Sequence, residues 1–146
     1  MTPILSRSSR RRYVLDANGL LAFLEGRSGA EKVRHLLTEA LRRETPLLMS
    51  AVNWGEVFYI AWRRHGEAQA RKTEADSLQL PIVIVEADRE RATHAAALKQ
   101  KHGLGYADAF AAQLAIESGA WLVTADPEFE KVGKSLARYL LPRYGQ

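Results

Sequence analysis

The feature that most constrains the fold is the regular alternation of short apolar segments with longer amphipathic ones. The short segments have the length and composition of β-strands: YVLD (13–16), PLLMS (46–50), IVIVE (82–86) and WLVTAD (121–126). Between them, apolar residues recur every three or four positions, which is typical of helices. Strands separated by helices predict an α/β three-layer sandwich, in which a central, mostly parallel sheet is flanked by helices on both faces.

Local signals place the ends of the predicted helices. Ser50 is predicted to cap the helix AVNWGEVFYIAWRRHG, and Gly66 is predicted to end it. Ser28 and Glu31 have the Ser-x-x-Glu spacing of a capping box. The helix that follows this box has a predicted apolar face of Val33, Leu36, Leu37, Ala40 and Leu41. The remaining helices are predicted within residues 18–26, 67–80, 88–103 and 106–119.

Two strands have an expected position in the sheet. The continuous β-branched run IVIVE is typical of a strand that is covered on both faces. The segment SLARYLL (135–141) is predicted to supply an edge strand.

The size and charge of the chain fit one globular domain with a basic arm. There are 146 residues, of which 47% are hydrophobic and 26% charged. The segment MTPILSRSSRRR predicts a flexible arm over residues 1–12, followed by a folded domain over 13–146. A solvated tail is the simpler interpretation of the arm, and loose phosphate contact through its arginines is the alternative. The 21 Lys and Arg against 17 Asp and Glu suit a polyanionic partner.

Composition excludes several classes of site. The absence of cysteine excludes disulfides, thiolate metal sites and cysteine nucleophiles. No apolar run approaches the roughly 18 residues of a membrane span, and no apolar segment of a secretion signal follows the first arginines. We therefore expect a cytoplasmic protein without membrane contact.

Four acids fall where the carboxyl ends of the predicted strands meet. Asp16 ends the first strand, and Asp126 ends WLVTAD. Glu56 lies early in the helix after PLLMS, and Asp108 lies in the first turn of YADAFAAQLAIESG. Ligands of open α/β sheets bind at this edge. Clustered carboxylates raise one another's pKa unless a cation neutralises them, so the acids predict a site for Mg²⁺ (or Mn²⁺), which prefers oxygen ligands.

Each acid also has a structural interpretation. Asp16 could cap a helix, and Asp126, which precedes Pro127, could be a turn residue. Glu56 could be a solvated helix residue, and Asp108 could stabilise a helix N-terminus. Any one of the acids alone is explained in this way, but four at one edge favour a functional site.

Four sequence blocks carry these acids: VLDANGLLAFL, SAVNWGEV, GYADAFAAQLA and VTADPEF. Their order and approximate spacing resemble those of PIN-domain ribonucleases, specifically the VapC-type toxins of bacterial toxin–antitoxin pairs. The resemblance extends from Tyr13 to about Phe129. Asn18 is one departure, because many relatives carry Ser or Thr there, although its amide can still form hydrogen bonds. The basic arm is longer than is usual in the family.

The resemblance implies a PIN-like fold and a divalent-metal-dependent endoribonuclease. Glu56 or Asp126 would position or deprotonate a water that attacks phosphorus, which leaves 3′-hydroxyl and 5′-phosphate ends. The implied partners are an RNA substrate, a cognate antitoxin and a second copy of the chain in a homodimer. The implied catalytic and metal-binding quartet is Asp16, Glu56, Asp108 and Asp126, with Asp16 and Asp108 as the direct ligands. The supporting polar positions are Asn18, Ser50, Asn53 and Thr124.

An aromatic stripe lies on the predicted helix that carries Glu56. Trp54, Phe58 and Trp62 are spaced by four residues, on the side opposite Glu56. Core packing or a dimer contact is the simpler interpretation, and a groove for an antitoxin helix is the alternative. Both interpretations predict rings that are shielded from water.

Other functions stay open at this stage. One is a non-catalytic PIN-like module that binds nucleic acid or protein. A second is a metal-dependent phosphatase of the haloacid-dehalogenase type, although that class needs an Asp where Asn18 stands. A metal-free ribonuclease would need catalytic histidines. The four histidines have no motif spacing and are predicted to be surface or satisfied residues: His35, His65, His94 and His102.

Overall fold

A single five-stranded sheet organises residues 11–143, which are the residues described by the computed structural model. Strands β1 to β5 are Tyr13–Leu15, Leu47–Ser50, Ile82–Val85, Trp121–Thr124 and Arg138–Leu140. Their order is β3-β2-β1-β4-β5, and every neighbouring pair is parallel. The predicted α/β sheet is confirmed, and it is parallel throughout. The predicted edge strand within SLARYLL is β5.

Six α-helices and one 3₁₀ segment connect these strands in the described part of the chain. Helices α1 to α6 are Ala17–Leu24, Ala30–Arg42, Ala51–His65, Glu67–Ser77, Arg89–His102 and Tyr106–Ser118. The 3₁₀ segment, Pro127–Ser135, follows β4 and was not predicted. Within residues 11–143, no helix is both long and apolar enough to cross a bilayer. Of the predicted basic arm, only Arg11 and Arg12 fall among the described residues.

Apolar side chains cover both faces of the sheet, which gives the three layers. Along β1, Val14 belongs to one core cluster and Leu15 to the other, because successive side chains of a strand point to opposite faces. The cluster around Val14 includes much of α6 and Phe129 of the 3₁₀ segment. The cluster around Leu15 includes residues of α1, α2 and α3. Seven consecutive residues of α6 are buried, directly after the residues that begin the helix: Ala109, Phe110, Ala111, Ala112, Gln113, Leu114 and Ala115.

The start of α2 differs from the prediction. Gly29 is its N-cap, with a φ of 93° and no side-chain cap hydrogen bond. The predicted Ser28–Glu31 capping box is therefore wrong, because the helix begins one residue too late for that spacing. Leu41, predicted to be on the apolar face, is 70% exposed. At 100° per residue it lies roughly 80° around the helix from Val33, at the margin of the buried stripe.

The position of β3 also differs from the prediction. The strand lies at the edge of the sheet beside β2, and Val83 is 45% exposed. The expectation that this β-branched run is covered on both faces is wrong. β-Branched residues favour extended backbone, but they do not decide a strand's place in the sheet.

The fully buried residues of helix α3 are not those of the predicted aromatic stripe. Its buried residues are Asn53, Val57 and Ala61. Trp54 is half-buried, but Trp62 is 42% exposed and meets Phe58 edge-to-face, with ring centroids 5.8 Å apart. The interpretation of core packing is therefore wrong for Trp62, whereas the dimer contact and the antitoxin groove stay predictions.

Candidate functional site

Asp16 is buried between β1 and α1, with only 4% of its surface exposed. Its Oδ1 accepts a hydrogen bond from the Gly19 backbone N–H at 2.7 Å, so Asp16 is the N-cap of α1. The side chain of Thr124, at the end of β4, also hydrogen-bonds to it. The capping role considered from the sequence is thus confirmed. A cap bond can form at the surface, however, and does not explain the burial of a carboxylate.

Asp126 occupies the turn after β4 and lies near Asp16. The Asp126 N–H donates to Thr124 Oγ1 at 3.0 Å, and Asp126 Oδ1 accepts from the Glu128 N–H at 2.9 Å. Asp126 thereby caps the 3₁₀ segment, as its predicted turn role suggested. Because Thr124 contacts both aspartates, it fixes the two loops relative to each other at the carboxyl edge of the sheet.

Asn53 connects the two helices that carry the other acids. Its Nδ2 donates to Glu56 Oε1 at 3.1 Å and to the backbone oxygen of Ala107 at 3.0 Å, next to Asp108 in the first turn of α6. Asn53 is 1% exposed, and its Oδ1 has no hydrogen-bond partner among the described residues. One buried amide therefore sets the position of Glu56 relative to the start of α6.

Burial and mutual repulsion raise the pKa of two of the acids. The pKa of Asp16 is raised from 3.8 to about 7, chiefly by burial. The charges of Asp108 and Asp126 contribute to this rise, and hydrogen bonds from Thr124 and the Gly19 N–H oppose it. Burial also raises the pKa of Asp108 to about 6, with contributions from Asp126, Glu56 and Glu128 in that order. In the described part of the chain, no lysine, arginine or histidine is among the groups that shift either pKa.

These acids fit a divalent cation, although they do not form a closed cage. Within residues 11–143, no three acids or histidines are grouped closely enough to hold a metal ion together. Mg²⁺ usually keeps several waters and takes one or two carboxylates along with phosphate oxygens of a substrate. The charge of Asp108 helps to raise the pKa of Asp16, and within residues 11–143 no basic side chain lowers the pKa of either acid. An open site of this kind suits a metal that is shared with a phosphate.

The supporting polar residues have separate positions. Ser50 Oγ accepts from the Val52 N–H at 3.2 Å, so it caps α3, as predicted. Asn18 is exposed and lines a cleft of about 290 Å³ together with Asp126, Arg27 and Arg143. A phosphate-bearing strand at the acids would have room in this cleft.

Sequence reasoning missed two residues of the site. Glu128 is one of the charges that raise the pKa of Asp108, and its position two residues after Asp126 was the available signal. Gly19 allows α1 to approach Asp16, since an added Cβ would lie 3.2 Å from Asp16 Oδ1.

The four histidines lie in helices, and His65 Nε2 lies 3.1 Å from Glu25 Oε2.

Comparison with known proteins gives a consistent family and fold. The sequence profile of the PIN domain matches residues 13–135. VapBC2 from Rickettsia felis, bound to a promoter DNA fragment, is 19% identical with a TM-score of 0.69, and the match covers 89% of this chain and 98% of that chain. DNA-bound VapBC from Salmonella typhimurium is 17% identical with a TM-score of 0.70, covering 88% and 97%. No curated protein matches the chain.

A third similar structure is a VapC toxin. VapC20 from Mycobacterium tuberculosis, a sarcin–ricin loop cleaving toxin, is 19% identical with a TM-score of 0.58, and the match covers 83% of this chain and 95% of that chain. At such identities the structural similarity shows the shared fold.

Proposed function

Since the chain belongs to the PIN-domain family, we propose that it is a divalent-metal-dependent endoribonuclease and the toxin of a toxin–antitoxin pair. The observation that carries the proposal is the buried Asp16 carboxylate, which lies near Asp108 and Asp126 and has no basic partner among the described residues. Burying a charge without a partner is costly, so a cation bound there would stabilise the charged form. The similar structures include VapBC complexes and a VapC toxin that cleaves the sarcin–ricin loop. This similarity supports the same function.

The proposed roles follow the positions of the acids. Asp16 and Asp108 would hold Mg²⁺ or Mn²⁺, and Asp126 and Glu56 would complete the negative site. When bound, the metal supplies positive charge that polarises a phosphate and makes a bound water more acidic. Asn53 would keep Glu56 Oε1 turned toward α6, and Thr124 would keep Asp16 and Asp126 together.

The reaction is the hydrolysis of an RNA phosphodiester bond. A water gives its proton to Glu56 or Asp126 and attacks phosphorus in line. The bond from phosphorus to the 3′ oxygen breaks, and that oxygen takes up a proton. The products carry a 3′-hydroxyl and a 5′-phosphate, because water and not the ribose 2′-hydroxyl is the nucleophile.

The proposed protein partners are a cognate antitoxin and a second copy of the chain. The similar structures include VapBC complexes, which supports a cognate antitoxin. Light scattering on the purified chain would test the homodimer. Trp62 and Tyr59, exposed by 42% and 58%, offer apolar surface on α3 for such a contact. A protein that binds this chain and stops its RNA cleavage at equal amounts would establish the antitoxin.

Cleavage of a mixed pool of tRNA and ribosomal RNA fragments tests the enzyme. We expect cleavage with Mg²⁺ or Mn²⁺, none with EDTA, and a loss of about a hundredfold or more in Asp16→Asn and Asp108→Asn. Glu90→Gln, which removes an exposed acid at the start of α5, is the matched control and should retain activity. The products should carry 5′-phosphate ends.

The other outcomes separate the alternatives. Cleavage that survives both EDTA and Asp16→Asn would rule out the acidic site. Products with 2′,3′-cyclic ends would indicate a metal-free ribonuclease. RNA binding without any cleavage, in the presence of metal, would indicate the non-catalytic binding module.

A further inference from the structure

The edge of the sheet where the strands begin lies opposite the acids and carries the end of the basic arm. Arg12 directly precedes β1, and its backbone oxygen accepts a hydrogen bond from the Trp121 N–H at 3.0 Å. The Arg11 guanidinium lies 4.4 Å from the centroid of the Trp121 ring. Asp16 follows Arg12 by four positions, which is roughly 13 Å along a strand. The arm therefore joins the domain at the edge remote from the candidate site.

The C-terminal end of α2 brings further arginines to the same edge. Arg42 and Arg43 have side chains that are 65% and 38% exposed. Arg43 and Arg12 line one cleft of about 360 Å³, together with Thr45 and Pro46. Arg43 also lines a narrower cleft with Arg11. Arg42 pairs with Glu39, which lines the same narrower cleft as Arg11. Two segments distant in sequence thus converge on a surface that we call the basic edge: Arg11, Arg12, Arg42 and Arg43.

The acids within the basic edge offset only part of its charge. Glu39 accepts a hydrogen bond from Arg42 Nε at 2.9 Å, and its carboxylate lies 3.5 Å from Arg43 Nε. The hydrogen bond from Arg42, together with the charges of Arg42 and Arg43, lowers the pKa of Glu39. Glu44 is the second acid, so four arginines face two carboxylates. The sequence places Arg7 and Arg10 in the preceding arm.

We propose that the basic edge binds the phosphate backbone of the RNA at a distance from the cleavage site. The choice of RNA rests on the proposed function, whereas the convergence of arginines does not. Arginine suits this task because its planar fork matches phosphate oxygens and always carries charge. Backbone contacts of this kind add affinity without reading sequence. An RNA long enough to reach both edges is held at more phosphates than a short RNA bound only at the acids.

The test measures RNA binding separately from cleavage. Asp16→Asn protein in EDTA is titrated into labelled single-stranded RNA of about 25 nucleotides, longer than common single-strand sites, at increasing salt. One variant combines Arg11→Gln with Arg12→Gln, and a second combines Arg42→Gln with Arg43→Gln. The matched control combines Arg89→Gln with Lys101→Gln, which removes equal charge from exposed positions of α5. Circular dichroism confirms that each variant is folded.

In each double variant of the basic edge, the magnitude of the slope of log affinity against log salt should fall by about 1.4. Each lost arginine accounts for about 0.7 of this, because one phosphate is no longer neutralised. The control double variant should keep the slope of the Asp16→Asn protein that carries no further substitution. An equal reduction in the control, or no reduction in the basic-edge pairs, would overturn the proposal. Displacement of RNA by polyglutamate at equal charge would also overturn it, because the edge would then bind acidic chains generally.

The outcome is independent of the nuclease proposal. A protein that cleaves RNA but shows no slope change in the basic-edge variants disproves only the binding edge. A protein that shows the slope change but never cleaves RNA disproves only the nuclease.

Discussion

Asp16 has two roles, as the cap of α1 and as a carboxylate of the candidate site. Burial raises its pKa to about 7, whereas in the unfolded chain it has the ordinary value of 3.8. Between these pH values the folded chain holds a proton that the unfolded chain has released. The stability of the metal-free protein that comes from this proton is complete below about pH 4 and is lost as the pH rises through about 7.

We expect Asp16→Asn to remove this pH dependence. Asparagine is as good an N-cap as aspartate and has no charge to bury. In EDTA near pH 8, the variant should be more stable than the parent by about 2–4 kcal/mol, and the difference should shrink toward pH 4. Urea denaturation at several pH values measures it, with Glu90→Gln as the control that should follow the parent. A difference that does not change with pH would show that Asp16 does not titrate in this range.

The distance between α1 and β1 depends on Gly19. A Cβ at this position would lie 2.8 Å from Leu15 Cδ1 and 3.2 Å from Asp16 Oδ1. Gly55 in α3 is a useful comparison, because a Cβ there would meet nothing within 4 Å. Both glycines lie inside helices, where alanine is intrinsically favoured by about 1 kcal/mol. Packing against β1 therefore explains a glycine at position 19 but not at position 55.

The two alanine substitutions should act in opposite directions. Gly19→Ala should lower the free energy of unfolding by about 1–3 kcal/mol, because Leu15 and Asp16 must move. Gly55→Ala should raise it by up to about 1 kcal/mol. Urea denaturation measures both, and RNA cleavage should fall only in Gly19→Ala. Equal stability of the two variants would mean that α1 shifts freely on the sheet.

The helices and strands were predictable to different degrees. Ser50 and Gly66 bound α3 as predicted, because capping depends on residues adjacent in sequence. The capping box at Ser28 was wrong because Gly29, with its positive φ, starts the helix one residue later. The edge position of β3 could not be predicted, since strand order depends on crossovers between distant segments.

The whole molecule is needed to assemble the proposed metal site. Asp16 follows β1, Asp126 follows β4 and Asp108 lies in the first turn of α6, so a metal bound there would hold three elements together. A ligand that binds only the folded state stabilises it by about 2.7 kcal/mol at a hundred times its Kd. For a chain of this size, that corresponds to a rise of about 5–10 °C in Tm.

Thermal unfolding with and without Mg²⁺ or Mn²⁺ measures this shift. We expect the rise in the parent protein and in Glu90→Gln, and its loss in both Asp16→Asn and Asp108→Asn. A rise that persists in the two aspartate variants would show that the metal binds elsewhere on the chain.

Local sequence patterns were sufficient to predict the alternation of strands and helices, a mostly parallel sheet and acids at its carboxyl edge. These follow from local hydrophobic periodicity and from the fixed hand of parallel crossovers. The burial of Asp16, the link from Glu56 through Asn53 to α6, and the exposure of Trp62 depend on tertiary contacts that the sequence patterns do not contain. The physical reason is that burial and the interaction of charges depend on residues far apart in the chain, such as Asp16 and Thr124, which meet only in the folded sheet.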